Sequence, residues 1–347
     1  MRLILQSGTI LTESVCSLRL RNWNIPQAPR HPSSAVNVGG IPICLQSLVS
    51  VIDYIKLHFV ILLWGFTAVL GNLIDLSPTQ LVFLRSLLSA LILVAVLRSR
   101  LKIDTKVAAM LLGNGFLLGL HWILFFVAVK IASVSVCMIG MATVSFWTAV
   151  LEPMMVSRVR FNALNLLLGV VAAGGVGIIY YSQAHFQTGV IVAVVAAVLA
   201  CLFSIFNGQL FHRAPPIVIV TYQMAGSAMF CAAALLCFGS SELGPTLKPW
   251  IPPVSQWGWM MILVLACTIY AYHVYVRLLE RLSVFTINFA NNLEPVYGIA
   301  LGSLLFHDHR DVSFSFYVGA AVILISVLIQ PWLSEERIAP QSSEPLT

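Results

Sequence analysis

One stretch of this chain gathers polar side chains where the surrounding sequence is almost wholly apolar: Asn288-Phe289-Ala290-Asn291-Asn292-Leu293-Glu294-Pro295. Asn288, Asn291 and Glu294 follow one another at three-residue spacing and Gly298 comes four later, so on a helix they share one face. Pro295 has no amide hydrogen, which leaves the carbonyl of Asn291 without its helical partner and predicts a kink with a polar notch beside Glu294. Two amides and a carboxylate on one face can hydrogen-bond a small solute, pair with a charge or carry a proton. The same groups could also simply stitch neighbouring helices together.

Four more residues are candidates for the same site. Arg85, Asn114, His121 and Trp122 all fall inside apolar segments. Polar groups within a bilayer are costly and normally face a bundle interior or an aqueous cavity. At about 1.5 Å per helical residue, Glu294 lies ~16 Å from the start of its segment, near mid-membrane. Arg85 lies ~9 Å and His121 ~12 Å from the outer ends of theirs. Arg85 is then close enough in depth to reach toward Glu294, or long enough to snorkel outward. His121 suits cavity lining and helix packing equally. Leu151-Glu152-Pro153 imitates Leu293-Glu294-Pro295, but Glu152 sits near a segment end beside Arg158 and Arg160, where an interfacial ion pair is the expectation.

Other chemistries are poorly served. The sequence contains no HExxH, GxSxG or P-loop pattern. Its seven cysteines stand singly, without CxxC or a histidine at metal-ligand spacing, and read as small apolar residues. No cofactor and no metal is expected. An integral-membrane enzyme would need a catalytic cluster at one interface, and His307-Asp308-His309 is the one stretch of that kind.

The elements that must position these residues follow from composition. The chain is 59% hydrophobic and only 9% charged, with a mean hydropathy of +0.93, far from the globular average of about 25% charged. Ten apolar segments are predicted, at 57–74, 79–97, 107–129, 132–156, 161–180, 189–210, 217–239, 256–275, 283–306 and 313–332. Each approaches the ~20 residues that carry a helix across the hydrocarbon core. One alternate set of loops holds Arg98, Arg100, Lys102, Lys106, Arg158, Arg160, Arg213, Arg277 and Arg281, against Lys130, Lys248 and Arg310 in the other. The positive-inside rule then makes both termini cytoplasmic. The net charge of +6 is thereby a topological signal, and a nucleic-acid partner is not expected.

The chain also repeats itself. A shift of 150 positions lays Ala132-Ser133-Val134-Ser135 on Leu282-Ser283-Val284-Phe285, Leu151 on Leu301, Arg160 on Arg310 and Gly169 on Gly319. A shift of 137 lays Phe66-Thr67 on Phe203-Ser204 and Gly71 on Gly208. Five segments per half is an odd number, so the second copy enters the membrane inverted, as in secondary transporters. The expected fold is therefore an all-α membrane protein of ten transmembrane helices in two inverted five-helix repeats, residues 52–182 and 187–333, with a short cytoplasmic tail at 334–347. Gly169, Ala173 and Gly177 form a small-residue stripe suited to close helix packing, within the chain or in a homodimer. Residues 1–51 carry arginines and prolines but no apolar period, and are expected to be a disordered extension. A start placed too far upstream, a targeting segment and a true cytoplasmic extension all remain open there.

Over residues 52–332 the chain resembles the drug/metabolite transporter superfamily of the EamA-like type. The resemblance rests on Leu63-Trp64-Gly65-Phe66-Thr67-Ala68-Val69-Leu70-Gly71, on Leu84-Arg85, on Asn292-Leu293-Glu294-Pro295-Val296-Tyr297-Gly298 and on Phe316-Tyr317-Val318-Gly319. It implies a ten-helix, two-repeat fold with a central substrate cavity, helices five and ten peripheral, and export or exchange of small metabolites. Where such proteins usually read Phe-Gly-Glu, this chain has Phe306-His307-Asp308-His309, with Asp308 as the substitute acid. The expected function is alternating-access transport of a small metabolite or drug-like solute, without enzymatic activity, in a bacterial inner membrane. No ATP-binding motif is present, so uphill movement requires a proton or counter-substrate, and Glu294 is the candidate proton carrier. A nucleotide-sugar or sugar-phosphate exchanger is the alternative; it should face more basic residues to its cavity than Arg85.

Overall fold

The computed structural model describes residues 43–182, 187–238, 251–294, 297–298, 301, 314, 317–319, 321–322 and 325–326. The expectations for residues 1–42, the His307-Asp308-His309 run, Pro295, most of the tenth segment and the tail at 334–347 lie outside them. Two compact units divide at Ile55 and Lys56. The boundary falls within the first helix, and the packing and the site described below belong to the second unit.

The described residues are helical, with no strand among them. In chain order they form α1 (Ile43–Leu73), α2 (Pro78–Leu97), α3 (Thr105–Ile131), α4 (Val134–Met141), α5 (Val144–Met155), α6 (Ala163–Ser182), α7 (Gln187–Leu210), α8 (Pro216–Phe238), α9 (Trp257–Val264), α10 (Ala271–Leu278) and α11 (Val284–Ala290). Among the described residues, six stretches are long and apolar enough to cross a membrane: Val51–Leu73, Pro78–Leu97, Thr105–Ile131, Gln187–Leu210, Pro216–Cys237 and Val254–Leu278.

The helix starts are written locally. Ser77 caps α2 with a reciprocal box, its Oγ accepting from the Gln80 amide at 3.3 Å while Gln80 Oε1 accepts from the Ser77 amide at 3.1 Å. Asp104 Oδ1 accepts from the amides of Lys106 and Val107 at the start of α3. Ser133 and Ser283, 150 positions apart, cap α4 and α11 in the same way, accepting from Val136 and Thr286.

Three of the apolar segments are interrupted, the one that opens at 283, for which a kink is expected, among them. The segment at 132–156 is two helices, α4 and α5, because the amide and the hydroxyl of Thr143 both donate to the Gly140 carbonyl, at 3.2 and 2.8 Å, in place of the bond one residue further back. The segment that opens at 283 tightens after α11 into a 3₁₀ turn at Asn291–Leu293, immediately before Glu294. Between α9 and α10 the chain widens into a π-turn at Leu265–Tyr270, where the Thr268 hydroxyl donates to the Leu263 carbonyl five residues earlier.

Packing centres on α3, which lies against α7 and α8, while α2 packs on α8, and α5 on α6, α7 and α11. Glycine permits the closest approach: a Cβ on Gly115 would collide with the Gln223 carbonyl of α8. Gly169 plays the same part on α6, where a Cβ would stand 2.7 Å from Phe146 Cα, so the first member of the small-residue stripe serves packing within the chain.

Candidate functional site

A small cavity of about 60 Å³ lies among α1, α2, α3, the α4–α5 break, α7, α10 and the α11 turn. Six of the residues singled out from the sequence line it: Arg85, His121, Trp122, Asn288, Asn291 and Glu294. Asn114 does not. Its Nδ2 donates to the Phe203 carbonyl and to Asn207 Oδ1, both at 3.3 Å, and Gln223 Nε2 donates to the same Oδ1 at 2.6 Å. Asn114 thus belongs to a three-residue amide cluster that ties α3, α7 and α8 together.

Arg85 has no accessible surface. It comes from the buried face of α2, in step with Leu81 and Ser89, and Ser89 Oγ donates back to its carbonyl at 2.8 Å. Its guanidinium lies over the Trp122 ring, with Cζ 3.6 Å from the centroid, and its Nε donates to Thr268 Oγ1 at 2.8 Å. The partner reached is therefore an aromatic face and a hydroxyl. Nη1 and Nη2 have no acceptor among the described residues, and no ion pair to Glu294 forms there. A desolvated cation over tryptophan gains about 2 kcal/mol, which offsets part of the cost of burying this charge.

The second segment with a break supplies the amides. Asn288 is held at both ends: Nδ2 donates to Thr148 Oγ1 on α5 at 2.9 Å, and Oδ1 accepts from Ser204 Oγ on α7 at 3.0 Å. Tyr275 continues the chain by donating to Ser204 at 3.2 Å. Asn292 turns away from the cavity and donates to Ser145 at 2.8 Å, a second link to α5. Asn291 faces the cavity with an Oδ1 that has no donor among the described residues. Glu294 is buried at the rim, and a Cβ on Gly65 of α1 would meet the Glu294 carbonyl at 3.1 Å, so α1 passes directly over the backbone there.

His121 commits Nδ1 to the Ala196 carbonyl at 2.8 Å. Because a carbonyl can only accept, Nδ1 carries the hydrogen, and Nε2 is the ring's remaining polar atom. Glu152 departs from its expected place. It is buried on α5, outside the cavity lining, while Arg158 and Arg160 are exposed and form no ion pair with it among the described residues.

Sequence reasoning missed most of the walls: Trp64, Phe125, Phe203, Tyr272 and Tyr275 are aromatic, and Trp122 meets Tyr272 edge-on at 5.4 Å. One signal could have found several of them. Trp122 and Tyr272, Phe125 and Tyr275, Met141 and Asn291, and Val144 and Glu294 are each 150 positions apart, and all eight line the cavity. Thr67 and Ser204, 137 apart, are a fifth such pair.

Residues 187–330 match the EamA-like transporter family, consistent with the drug/metabolite transporter superfamily. No curated protein matches the sequence. One solved crystal structure superposes with a TM-score of 0.62 at 15% identity, covering 83% of this chain and 99% of its own, a likeness that shows the fold alone. The family match and the apolar helices support an integral, multi-pass membrane transporter.

Proposed function

From the match of residues 187–330 to EamA-like transporters, we propose that this chain is a secondary transporter that exports a small metabolite or drug-like solute by alternating access. The observation that carries this reading is the five pairs of cavity-lining residues at fixed offsets of 150 and 137. They are what two inverted repeats facing one central site would produce, and transporters place that site where helices in corresponding positions of the two halves are broken. Met141 and Val144 flank one break, and Asn291 and Glu294 flank the other. The two copies differ in chemistry: one break brings Val144 and Met141 to the cavity and the other Glu294 and Asn291. The site then offers both apolar and polar surface, suited to an amphipathic solute.

In this reading the two halves rock about the cavity, both termini are cytoplasmic, and a proton or a counter-substrate drives uphill movement. At roughly one probe sphere of 10–15 Å³ per water, the cavity as it stands holds a few waters, and in this reading the rocking of the halves enlarges it to admit a solute. A nucleotide-sugar or sugar-phosphate exchanger is less well served, because Arg85 is the one lysine or arginine among the described lining residues.

Proteoliposomes loaded with a metabolite extract provide the test, with efflux followed by mass spectrometry. A small set of solutes should leave vesicles that hold the protein. Glu294→Gln should reduce that efflux to background while the protein stays monodisperse. A fully active Glu294→Gln protein would falsify the role of this carboxylate.

A further inference from the structure

The geometry points to Arg85 as the anchor for a carboxylate: the solute carried by this cavity bears a planar carboxylate group that binds side-on to Nη1 and Nη2. This inference rests on the transporter reading and names its substrate class. One face of the guanidinium and its Nε are engaged. The Trp122 ring covers a face at 3.6 Å, and Thr268 takes Nε at 2.8 Å. What remains is the Nη1–Nη2 fork, fully buried, in the wall of the cavity and with no acceptor among the described residues.

Two coplanar N–H donors at fixed spacing match the two oxygens of a carboxylate, and such forked contacts are stronger and more directional than bonds to neutral groups. The stacking and the Thr268 bond hold the plane before a ligand arrives, so little freedom is lost on binding. Thr268 itself can occupy this position because of the π-turn, which also satisfies its own hydroxyl proton on the Leu263 carbonyl. That leaves the Thr268 lone pair free to accept from Arg85.

The rest of the wall argues for a monoanion on an apolar body. A doubly charged phosphate would meet one guanidinium and also the Glu294 carboxyl in the same small space. Trp64, Phe125, Phe203 and Tyr272 offer flat apolar surface instead. A single carboxylate at Arg85, with a hydrogen-bond donor of its own toward Asn291 Oδ1, would match three of the unpartnered buried atoms of the lining, leaving Trp64 Nε1.

Calorimetric titration of the full chain in lipid nanodiscs tests this. The probes are benzoate, phenylacetate and 3-phenylpropanoate, each compared with its own amide, together with inorganic phosphate. At least one carboxylate should bind tenfold or more tightly than its amide and than phosphate. Arg85→Gln should bring the carboxylate-to-amide ratio close to one. Arg85→Lys, which keeps the charge but loses the fork, should lower it several-fold, and serves if Arg85→Gln does not fold. Equal binding of acids and amides by the unaltered protein, tighter binding of phosphate, or a ratio unmoved in either variant overturns the inference. Counterflow of the best-bound carboxylate in proteoliposomes separates the two readings. Binding without movement rejects the transporter and leaves the anchor, whereas amides carried as fast as acids reject the anchor and leave the transporter.

Discussion

At Arg85 one guanidinium nitrogen is matched and two are not, and the difference originates in a residue from another part of the chain, Thr268. Thr268 is fully buried and accepts from Nε while donating to a backbone carbonyl. Thr268→Val keeps the shape and removes the acceptor, leaving Nε as a third unmatched donor. A hydrogen bond to a charged group contributes about 1.5–3 kcal/mol, so stability in detergent should fall by about that much, read from a denaturation midpoint, and transport should fall with it. Unchanged stability would mean that the cation rests on Trp122 alone. Asn288, Asn291 and Glu294 were legible in the sequence because their three-residue spacing survives into the structure and an adjacent proline marks them. The partners of Arg85 were not. Stacking on Trp122 is a tertiary contact between α2 and α3, and counting by helical period loses phase across the π-turn, which hides Thr268, Tyr272 and Tyr275. Asn114 shows the opposite failure: its type was informative and its surroundings were not, since its Nδ2 is committed to the Phe203 carbonyl and Asn207 on α7, away from the cavity.

Among the elements, the α4–α5 break depends on one side chain. The Thr143 hydroxyl competes for the Gly140 carbonyl and so separates the two helices where Met141 and Val144 meet the cavity. Thr143→Val retains the β-branch but cannot make that bond, which should let the regular ladder close over residues 140–144. The expected outcome is slower amide exchange at those residues, with transport reduced at least several-fold and little loss of stability. Normal transport with the exchange slowed would show that the break is incidental. Apolar runs delimited most of the segments within a few residues, because length and hydropathy dominate in a bilayer. The α4–α5 break and the π-turn escaped, since each is a local hydrogen-bond exchange inside an apolar run with no charge to announce it, whereas Glu294 and Pro295 did announce an irregularity in the segment that opens at 283.

For the whole molecule, the distribution of lysine and arginine carries a prediction that is independent of the cavity. If the nine-residue set of basic loops lies inside, a cysteine at Arg158, which is exposed after α5, should react only with a membrane-permeant reagent. A cysteine at Ser255, exposed ahead of α9, should react with an impermeant one. Labelling of position 158 from outside intact cells would reverse the orientation. The two-copy expectation rests at this scale on a gapless shift of 150. Its bearing on the site became visible only once the lining residues were known, because the two pairs at the breaks, Met141 with Asn291 and Val144 with Glu294, join unlike side chains.

The π-turn at Leu265–Tyr270 has a genetic consequence. A π-turn accommodates one more residue than an α-turn of the same span, so it behaves as an extra codon absorbed without disturbing the helix on either side. Removing one codon there, for example that of Ile269, should leave α9 and α10 facing as before, with Tyr272 and Tyr275 still at the cavity and only the seat of Arg85 lost. The same deletion in α7, at Val198, has no slack to use and should turn everything beyond it by about 100°, swinging Phe203 and Ser204 out of the wall. Single-codon deletions scanned along the gene should therefore spare membrane insertion and folding at one short window in the middle of the 254–278 segment, and abolish them across the uninterrupted helices.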